Sequence, residues 1–397
     1  MGGQASVPDL PHGTSATGRK IAAAMPRFPR EDLDEILPAI EAILKSGRLI
    51  LGPQTQQFEE AFRNYVGADH AVAVGTCTAA LQIALRFQRL EGREVILPTN
   101  NFVGVVGAVI AEGGTPVLAD MDPATFCMDL DDALARITPR TAGIIVVHIA
   151  GRIDPGIDRL RAVCDERGLF LIEDAAHAHG AAIGTRKAGT LADTACFSFY
   201  PTKVMTTGTG GMITTKDPQL AQYARSLRHH GVRSSLDDVV NLGNDWCLGE
   251  INALLGRYQL KRLDENVAHR NRMVGLYRSR LGDEDWLTIP THPDNVLHAY
   301  YKFPVLLGQE MDRDRFRRLL WTEFAVENGA IYDPPCHLQP VLRNLFGFRE
   351  GMFPKAEAAL KRQLCPPIHS SLSAEEVHAA ADAMLAVASR CRRKHVE

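Results

Sequence analysis

The sequence has no marked excess of charge, no long apolar run and no closely spaced cysteines. Lys and Arg number 44 against 47 Asp and Glu, a formal net charge of −3, whereas a protein devoted to nucleic acid usually carries a basic excess. No apolar run approaches the roughly 18 residues that span a bilayer, and residues 1–20 lack the apolar core of a signal peptide. We therefore expect a cytoplasmic protein with neither a nucleic-acid nor a membrane partner.

The eight cysteines stand apart from one another, at positions 77, 127, 164, 196, 247, 336, 365 and 391. No two of them form a CxxC pair, so the sequence gives no support to a zinc site. Several lie inside apolar stretches, as Cys164 and Cys196 do. Such cysteines are typical of buried thiols in a reducing compartment.

Short apolar runs alternate with helical segments over most of the chain. Two amphipathic helices, at 31–46 and 52–67, come before β-like runs at 71–75, 94–98, 115–122, 142–151, 170–176, 195–200 and 210–215. Buried apolar strands separated by helices indicate an α/β fold with a mostly parallel sheet covered on both faces. No fixed-period repeat is present.

The pattern changes from about Asn252, where one long amphipathic helix is predicted as the bridge to a second domain. Residues 298–308 and a final helix at Ala374–Cys391 indicate a smaller α+β unit. The predicted division is an extended N-terminal arm at 1–29, a large domain at 30–265 and a small C-terminal domain at 266–397.

A turn of small and hydroxyl residues follows the first predicted strand. It reads Gly75-Thr76-Cys77-Thr78 and opens a helix, so its backbone N–H groups and hydroxyls can hold an anion. An ordinary helix cap by a threonine hydroxyl fits the same residues. Taken alone, the turn leaves a phosphate cradle and a plain cap as alternatives.

Two carboxylates, Glu173 and Asp174, close the apolar strand FLIED. A carboxylate at the end of a buried strand costs free energy unless a cation meets it. Metal binding by Asp174 with His177 or His179 is one interpretation. Hydrogen-bonded loop residues are the other.

A lysine lies among serine, threonine and glycine in SFYPTKVMTTGTGG, directly after the predicted strand at 195–200. Most lysines are surface charges. In a partly desolvated pocket, however, the Lys203 amine would lose its proton and could form a Schiff base.

These three elements follow strand ends, where parallel sheets bind their ligands. Pyridoxal 5′-phosphate (PLP) carries a phosphate, a ring nitrogen that must stay protonated and an aldehyde that condenses with lysine. The combination therefore predicts PLP, with Thr76, Cys77 and Thr78 at the phosphate, Asp174 at the ring nitrogen and Lys203 at the aldehyde. No metal is expected.

The chain resembles the DegT/DnrJ/EryC1/StrS family of PLP-dependent sugar aminotransferases, which have the aspartate-aminotransferase-like fold type I. The likeness runs from about Pro26 to the last helix. It rests on the segments SGRLILGPQTQQFEEAF, TCTAAL, PTNNFVG, EDAAHAHGA, SFYPTKVMTTGTGGMITT, RHHG, GEINALLGRYQLKRLDE and CHLQP. It implies a large PLP-binding domain, a smaller C-terminal α+β domain and a homodimer with shared active sites.

The resemblance also implies roles for single residues. Lys203 would hold the cofactor and carry the proton, Asp174 would pair with the ring nitrogen, and Ser198 would join the phosphate cradle. Phe102 falls at an aromatic position that stacks on the cofactor ring, with core packing as the plain alternative. The remaining two are His177, near the ring hydroxyl, and His337, near the substrate.

The chain departs from the family pattern at four positions. Cys77 replaces a glycine of the cradle, Thr209 replaces an acidic residue, and Asp245 and Cys247 replace an asparagine and an arginine. An aspartate 4 Å from the phosphate would be repelled by about 4 kcal/mol at an effective dielectric constant of 20. We therefore expect the loop to shift by one residue, so that Asn244 donates to the phosphate of the neighbouring subunit.

The activity that the resemblance implies is amino transfer from an amino acid, L-glutamate as the expected donor, to a keto group of a nucleotide-activated sugar. One alternative is an L-glutamine-dependent aminotransferase of a keto-cyclitol or another secondary-metabolite sugar. Another is a non-catalytic PLP-binding regulator. A dehydratase branch of the family has a histidine at the lysine position, and Lys203 argues against it.

Overall fold

A seven-stranded sheet forms the centre of the computed structural model, which describes residues 20–392. Its strands, with two short ones that lie outside it, are β1 (His70–Val74), β2 (Glu94–Pro98), β3 (Thr115–Ala119), β4 (Thr141–Val147), β5 (Phe170–Asp174), β6 (Ala182–Ile183), β7 (Arg186–Lys187), β8 (Thr194–Ser198) and β9 (Gly211–Thr215). The order across the sheet is β1-β9-β8-β5-β4-β2-β3. Only β9 runs antiparallel to its neighbours in this sheet. The predicted α/β class with a mostly parallel sheet is confirmed.

Helices cover both faces of this sheet. The helices in this part of the chain are α1 (Arg30–Ser46), α2 (Pro53–Val66), α3 (Cys77–Phe87), α4 (Val103–Ala111), α5 (Leu130–Ala135), α6 (Ile157–Arg167), α7 (Pro218–Leu227) and α8 (Glu250–Lys261), with a 3-10 turn at Ile149–Gly151. Of these, α1 packs on α8 in a small apolar cluster of its own. Alternate residues of β1 enter different apolar clusters: Val72 packs with α3 and α4, and Ala73 packs with α2 and α6. This burial of both strand faces is the reason that the strands are continuously apolar.

The C-terminal part has its own apolar cluster. The elements of the C-terminal part are α9 (Leu263–Leu281), β10 (Leu287–Thr288), β11 (Val296–Leu297), β12 (Val305–Leu307), α10 (Arg313–Phe324), a 3-10 turn at Cys336–Leu338, α11 (Pro340–Phe346), α12 (Pro354–Leu360), β13 (Gln363–Leu364) and α13 (Ala374–Cys391). The buried residues of α11 and α12 join the cluster that also contains α3 and α4. Strands β10, β12 and β13 form a small sheet. The α9, α10 and α13 helices supply most of this third cluster. The three domain boundaries stay predictions.

The described end of the predicted arm packs on this C-terminal part. Ile21 is buried in the third cluster, and its N–H donates to Ala325 O at 3.0 Å. The Glu327 N–H donates back to Ile21 O at 2.9 Å. Residues 1–19 lie outside the described part of the chain.

The long helix predicted from Asn252 is wrong in one respect, because it is two helices. Arg262 separates α8 from α9 with φ −97° and ψ −2°, and its N–H donates to Gln259 O, three residues back. Its guanidinium pairs with Asp32 at 2.8 Å, at the start of α1. In the predicted 298–308 segment only Val305–Leu307 is a strand. The final helix at Ala374–Cys391 is confirmed.

None of the helices in residues 20–392 combines the length and the apolar character that crossing a bilayer requires.

Candidate active site

The predicted site residues lie along one edge of the sheet, where β1, β5 and β8 end. Gly211, the first residue of antiparallel β9, pairs with Val74 on one side and with Ser198 on the other. Asp174 pairs with Cys196 in the adjacent strand. The parallel topology thus brings together segments that lie about a hundred residues apart in the sequence.

The cradle turn is held tightly against the start of β9. Thr76 is the N-cap of α3, and its Oγ1 accepts from Ala79 N at 3.0 Å. A Cβ on Gly211 would lie 2.5 Å from the Thr76 carbonyl oxygen, so only glycine lets the turn come this close. The N–H groups of Cys77 and Thr78 open the helix and have no carbonyl four residues back. This end of α3 therefore offers backbone donors and the positive end of the helix dipole.

Cys77, which replaces the family's glycine, adds no negative charge to this turn. Burial raises the pKa of the Cys77 thiol well above its ordinary value, and the Asp174 carboxylate raises it further. The neutral thiol is compatible with an anion held at the first turn of α3.

The adjacent carboxylates of Glu173 and Asp174 have different hydrogen-bond partners. Glu173 is fully buried, and its oxygens accept from His148 Nε2 at 2.9 Å, Gly189 N at 2.8 Å and Leu191 N at 2.8 Å. It therefore fastens the loop after β7 to the sheet. Asp174 accepts from Ala176 N at 3.0 Å.

Asp174 lies in the same electrostatic environment as Lys203. Burial raises the pKa of the Asp174 carboxyl, and the positive charge of Lys203 opposes that rise. A cation that met this carboxylate at the sheet edge would relieve the cost of burying it. The environment suits the protonated ring nitrogen of PLP.

Lys203 lies on the ring of a tyrosine that sequence reasoning missed. Its Nζ is 4.4 Å from the ring centre of Tyr301. The Tyr301 hydroxyl and Thr202 Oγ1 are hydrogen-bonded at 3.0 Å. Burial opposes ionisation of the Tyr301 phenol, but the charges of Lys203 and Lys302 bring its pKa below the ordinary value. The amine is thus held in a partly enclosed aromatic pocket.

His177 is fixed in one tautomer. Ala150 N donates to its Nδ1 at 3.2 Å, so Nε2 carries the proton and donates to the Tyr332 hydroxyl at 3.0 Å. The imidazole stacks on Tyr301 at 4.3 Å between ring centres. Burial, and then the charge of Lys203, lowers the pKa of His177 well below its ordinary value. His177 is therefore a neutral donor beside the lysine.

Phe102 is open to the site and is not packed in the core. Its side chain is 52% exposed, although most phenylalanines of the described chain are buried. A Cβ on Gly104 would lie 2.7 Å from the Phe102 ring and 3.3 Å from Thr78 Oγ1, so this glycine allows the ring to lie beside the cradle. On the other side, the Phe102 and Tyr332 ring centres are 6.2 Å apart.

His337 occupies a different environment from the other predicted residues. It is fully buried, with Nδ1 at 2.7 Å from Thr99 Oγ1 and Nε2 at 3.0 Å from Glu357 Oε1. The ring therefore links the end of β2 to α12. Its predicted contact with substrate stays a prediction.

Asn244 and Asp245 lie on an exposed loop that touches the cradle turn. The Asn244 Oδ1 accepts from Asp245 N at 3.0 Å, which leaves its amide nitrogen free to donate elsewhere. Gly75 N donates to Trp246 O at 2.7 Å. Cys247, at the family's arginine position, donates its thiol to Arg228 O at 3.2 Å.

Within residues 20–392, no group of three or more histidine, cysteine, aspartate or glutamate side chains is arranged to hold a metal ion. The interpretation of Asp174 with His177 or His179 as metal ligands therefore has no geometric support in that part of the chain.

Tyr301 and Tyr332 carry no local signal that would have placed them here. Both come from the C-terminal part, and HAYYK and AIYDP resemble ordinary loop segments. Hydrogen bonds of the Lys302 N–H with Ala150 O, at 3.2 Å, of Tyr301 with Thr202 and of Tyr332 with His177 hold them over the sheet edge.

The arrangement fits PLP. It provides backbone donors for a phosphate at α3, an open aromatic face at Phe102, a buried carboxylate at Asp174 and an amine at Lys203. These groups converge on one edge of the sheet. Together they can hold the cofactor and move a proton beside it.

Comparison with known proteins agrees with this geometry. The model of the DegT/DnrJ/EryC1/StrS aminotransferase family matches residues 31–385. The spore coat polysaccharide biosynthesis protein SpsC of Bacillus subtilis is 34% identical over 369 residues, which is 89% of this chain and 93% of that protein.

Two further relatives are informative. The dTDP-4-dehydro-2,3,6-trideoxy-D-glucose 4-aminotransferase of Saccharopolyspora spinosa is 33% identical over 88% of this chain and 92% of its own length. The structure of Spr1654 from Streptococcus pneumoniae in its PLP form has a TM-score of 0.87 at 26% identity, covering 94% of this chain and 99% of that one.

Proposed function

Since the chain belongs to the DegT/DnrJ/EryC1/StrS aminotransferase family and is an aminotransferase, we propose that it transfers the amino group of an amino acid to a keto group of a nucleotide-activated sugar, with PLP as cofactor. L-Glutamate is the expected donor. The observation that carries the proposal is the convergence of the α3 turn, Asp174 and Lys203 at one sheet edge. The named activity of the Saccharopolyspora relative supports the class of acceptor.

The residues of this chain hold and orient the cofactor. The first turn of α3, with Thr76, Thr78 and Ser198, binds the phosphate through backbone N–H groups and hydroxyls. The exposed Phe102 side chain would stack on one face of the cofactor ring. Asp174 keeps the ring nitrogen protonated, because an anion within hydrogen-bonding range raises the pKa of a cation.

Bound PLP supplies an electron sink for the substrate carbon that loses its proton. Lys203 Nζ takes that proton and returns it to the neighbouring atom in each half of the reaction. The neutral His177 donates a hydrogen bond near the ring hydroxyl and carries no charge against Lys203. The aromatic ring of Tyr301 keeps water from one side of the amine.

Two copies of the chain form the working unit in this proposal. The segment that leads to Asn244 exposes four large apolar side chains, Leu236, Val239, Val240 and Leu242. Exposed apolar clusters of this kind mark protein interfaces. From this segment Asn244 reaches the phosphate of the neighbouring subunit.

Borohydride reduction of the purified, PLP-loaded protein tests the site. Peptide mapping should place the cofactor mass on the peptide that contains Lys203, and Lys203→Ala should lose turnover by at least about a hundred-fold while still retaining PLP through the cradle and Asp174. Label on another lysine would contradict the assignment.

A screen of amino donors and nucleotide keto-sugars, read by the mass change of the acceptor, tests the reaction. L-Glutamine in place of L-glutamate would correct the donor. A protein that carries PLP on Lys203 but converts no amino acid would favour the non-catalytic regulator.

A further inference from the structure

Three cations that form no ion pair with a carboxylate of residues 20–392 lie near Tyr301. The Nζ atoms of Lys203 and Lys302 lie 4.4 and 5.5 Å from the Tyr301 ring centre. Arg270 is buried, and its Nη1 donates to the carbonyls of Tyr300 at 3.0 Å and Ile368 at 3.1 Å. Among residues 20–392 no carboxylate forms an ion pair with any of the three.

The charges of this group act on their neighbours. Burial and then the charge of Lys203 lower the pKa of His177, and Lys302 contributes to the same shift. Burial lowers the pKa of Arg270 to about 10, which still leaves the guanidinium charged at neutral pH. Cations that are partly or wholly removed from water without a counter-ion are costly. The pocket is therefore suited to an anion that arrives with a ligand.

Lys302 is the cation that a ligand can reach, because it is only half-buried. Arg270 is enclosed by the protein: its Nη1 donates to two backbone carbonyls, and its Nε is buried without a partner in the described residues. The Lys203 amine is committed to the reaction in the proposed function. The ammonium of Lys302 has three donors, and no acceptor for them occurs in the described part of the chain. Its Nζ lies beside Gly329, where an added Cβ would be 3.8 Å away, so this side of the ammonium is not crowded.

The position of the Lys302 ammonium beside Lys203 indicates which anion it binds. In the proposed function, Lys203 removes a proton from the carbon that also bears the donor's α-carboxylate, so that carboxylate lies within a few bonds of the Lys203 amine. Lys302 lies on the same tyrosine ring as that amine. The cofactor phosphate has separate donors at the first turn of α3.

We propose that Lys302 binds the α-carboxylate of the amino donor, with the Tyr301 ring holding its ammonium in place. This assignment rests on the proposed function and adds to it a residue that recognises the donor. The charged hydrogen bond is made to the group that all α-amino acid donors share, so Lys302 acts on every such donor alike.

The test compares Lys302→Met, which keeps the apolar stem and removes the charge, with Lys302→Arg, which keeps the charge. The PLP-loaded proteins are mixed with L-glutamate, L-glutamine or L-alanine, and the cofactor absorbance follows the donor half-reaction. Lys302→Met should raise the half-saturating donor concentration by about ten- to a hundred-fold for all three donors, and Lys302→Arg should recover part of the loss. PLP content and the half-saturating acceptor concentration should stay unchanged.

Lys261→Met is the matched control, because Lys261 also lies on a tyrosine ring, 4.2 Å from the centre of Tyr258, but on the surface. Calorimetric titration with glutarate, which has carboxylates and no amine, gives a readout that does not need turnover. Its binding should weaken in Lys302→Met and not in Lys261→Met.

Unchanged donor half-saturation and unchanged glutarate binding in Lys302→Met would overturn the assignment. A loss confined to L-glutamate would move Lys302 to the side-chain carboxylate and would also overturn it. If the parent protein converts no amino acid, the proposed function fails, whereas the glutarate comparison still decides whether Lys302 binds carboxylates.

Discussion

Neighbouring residues of this site have opposite roles because their side chains leave the same strand on opposite faces. Glu173 accepts four hydrogen bonds inside the protein, whereas Asp174 accepts one from Ala176 and is subject to the positive charge of Lys203. Because side chains alternate along a strand, Glu173 has a structural role and Asp174 remains available to the cofactor.

Asp174→Asn should impair catalysis more than cofactor retention. The amide cannot hold the ring nitrogen in its protonated form, and loss of a paired carboxylate lowers the pKa of a neighbouring cation by about one to three units, or ten- to a thousand-fold in its protonated fraction. Single-turnover rates with L-glutamate, measured at equal PLP content, should fall within that range. Rates equal to those of the parent protein would remove Asp174 from the assignment.

His179 makes the stability of the fold depend on pH. Its ring packs 5.4 Å from the Phe197 ring, and burial followed by the charge of Lys203 lowers its pKa to about 3. The unfolded chain takes up this proton near pH 6.5, so the folded state loses free energy relative to the unfolded state as the pH falls from there toward 3.

His179→Phe removes this uptake and keeps an aromatic ring. Between pH 6.5 and 5 the PLP-free parent should lose about 2 kcal/mol more unfolding free energy than the variant. Guanidinium unfolding at the two pH values measures the difference. The exposed His378, replaced by Gln, is the control, and equal pH slopes for the parent and His179→Phe would contradict the prediction.

At the scale of secondary structure, the site depends on how closely α3 approaches β9. The helix supplies the phosphate donors, and Gly211 allows its first turn to sit against the strand. The antiparallel β9 is inserted between β1 and β8, so the same glycine touches the strand that leads to the cradle and the strand that leads to Lys203.

Gly211→Ala should therefore displace the cradle. Its Cβ would lie 2.5 Å from the Thr76 carbonyl oxygen and 2.7 Å from Cys77 N, so the backbone of the cradle turn has to move. We expect PLP retention to fall by about ten-fold or more, as for loss of one charged hydrogen bond; spectroscopic titration of the PLP-free protein measures it. Gly107→Ala, in α4 with no atom within 4 Å of the added Cβ, should retain PLP and gain up to about 1 kcal/mol of stability.

For the molecule as a whole, the loop before α8 exposes large apolar side chains that a single chain leaves uncovered. Leu242 is 91% exposed and Leu236 is 72% exposed, values that a stable monomer seldom shows in one segment. In the proposed dimer this segment is covered by the second subunit and carries Asn244 to the second subunit's cofactor.

Asn244→Ala should weaken PLP retention by about ten- to a hundred-fold, the value for one hydrogen bond to a charged group, whereas Asp245→Ala should not. Dialysis followed by measurement of bound PLP compares the two neighbours directly. A PLP-bound dimer structure with Asn244 away from the phosphate, or loss of PLP from Asp245→Ala alone, would show that the loop does not shift by one residue.

The local sequence pattern was enough to predict the elements whose ends are set by neighbouring residues. Helix α13 begins at Ala374 because Ser373 and Glu376 form a reciprocal cap, and its bounds match the prediction. The apolar strands predicted at 170–176 and 195–200 are observed at Phe170–Asp174 and Thr194–Ser198, because a buried strand is recognisable from composition alone. Since those strand ends share one edge of a parallel sheet, the sequence also determined which chemical groups meet there.

Tertiary contacts decided the rest. The helix break at Arg262 depends on Asp32, the tyrosine over Lys203 comes from the C-terminal part, and His337 is enclosed by Thr99 and Glu357. Each of these depends on partners that are distant in the sequence. A contact between distant residues does not change the local hydrophobic pattern, so the pattern cannot predict it. The sequence therefore determined which groups carry the chemistry, and only the packing of the C-terminal part on the sheet decided what surrounds them.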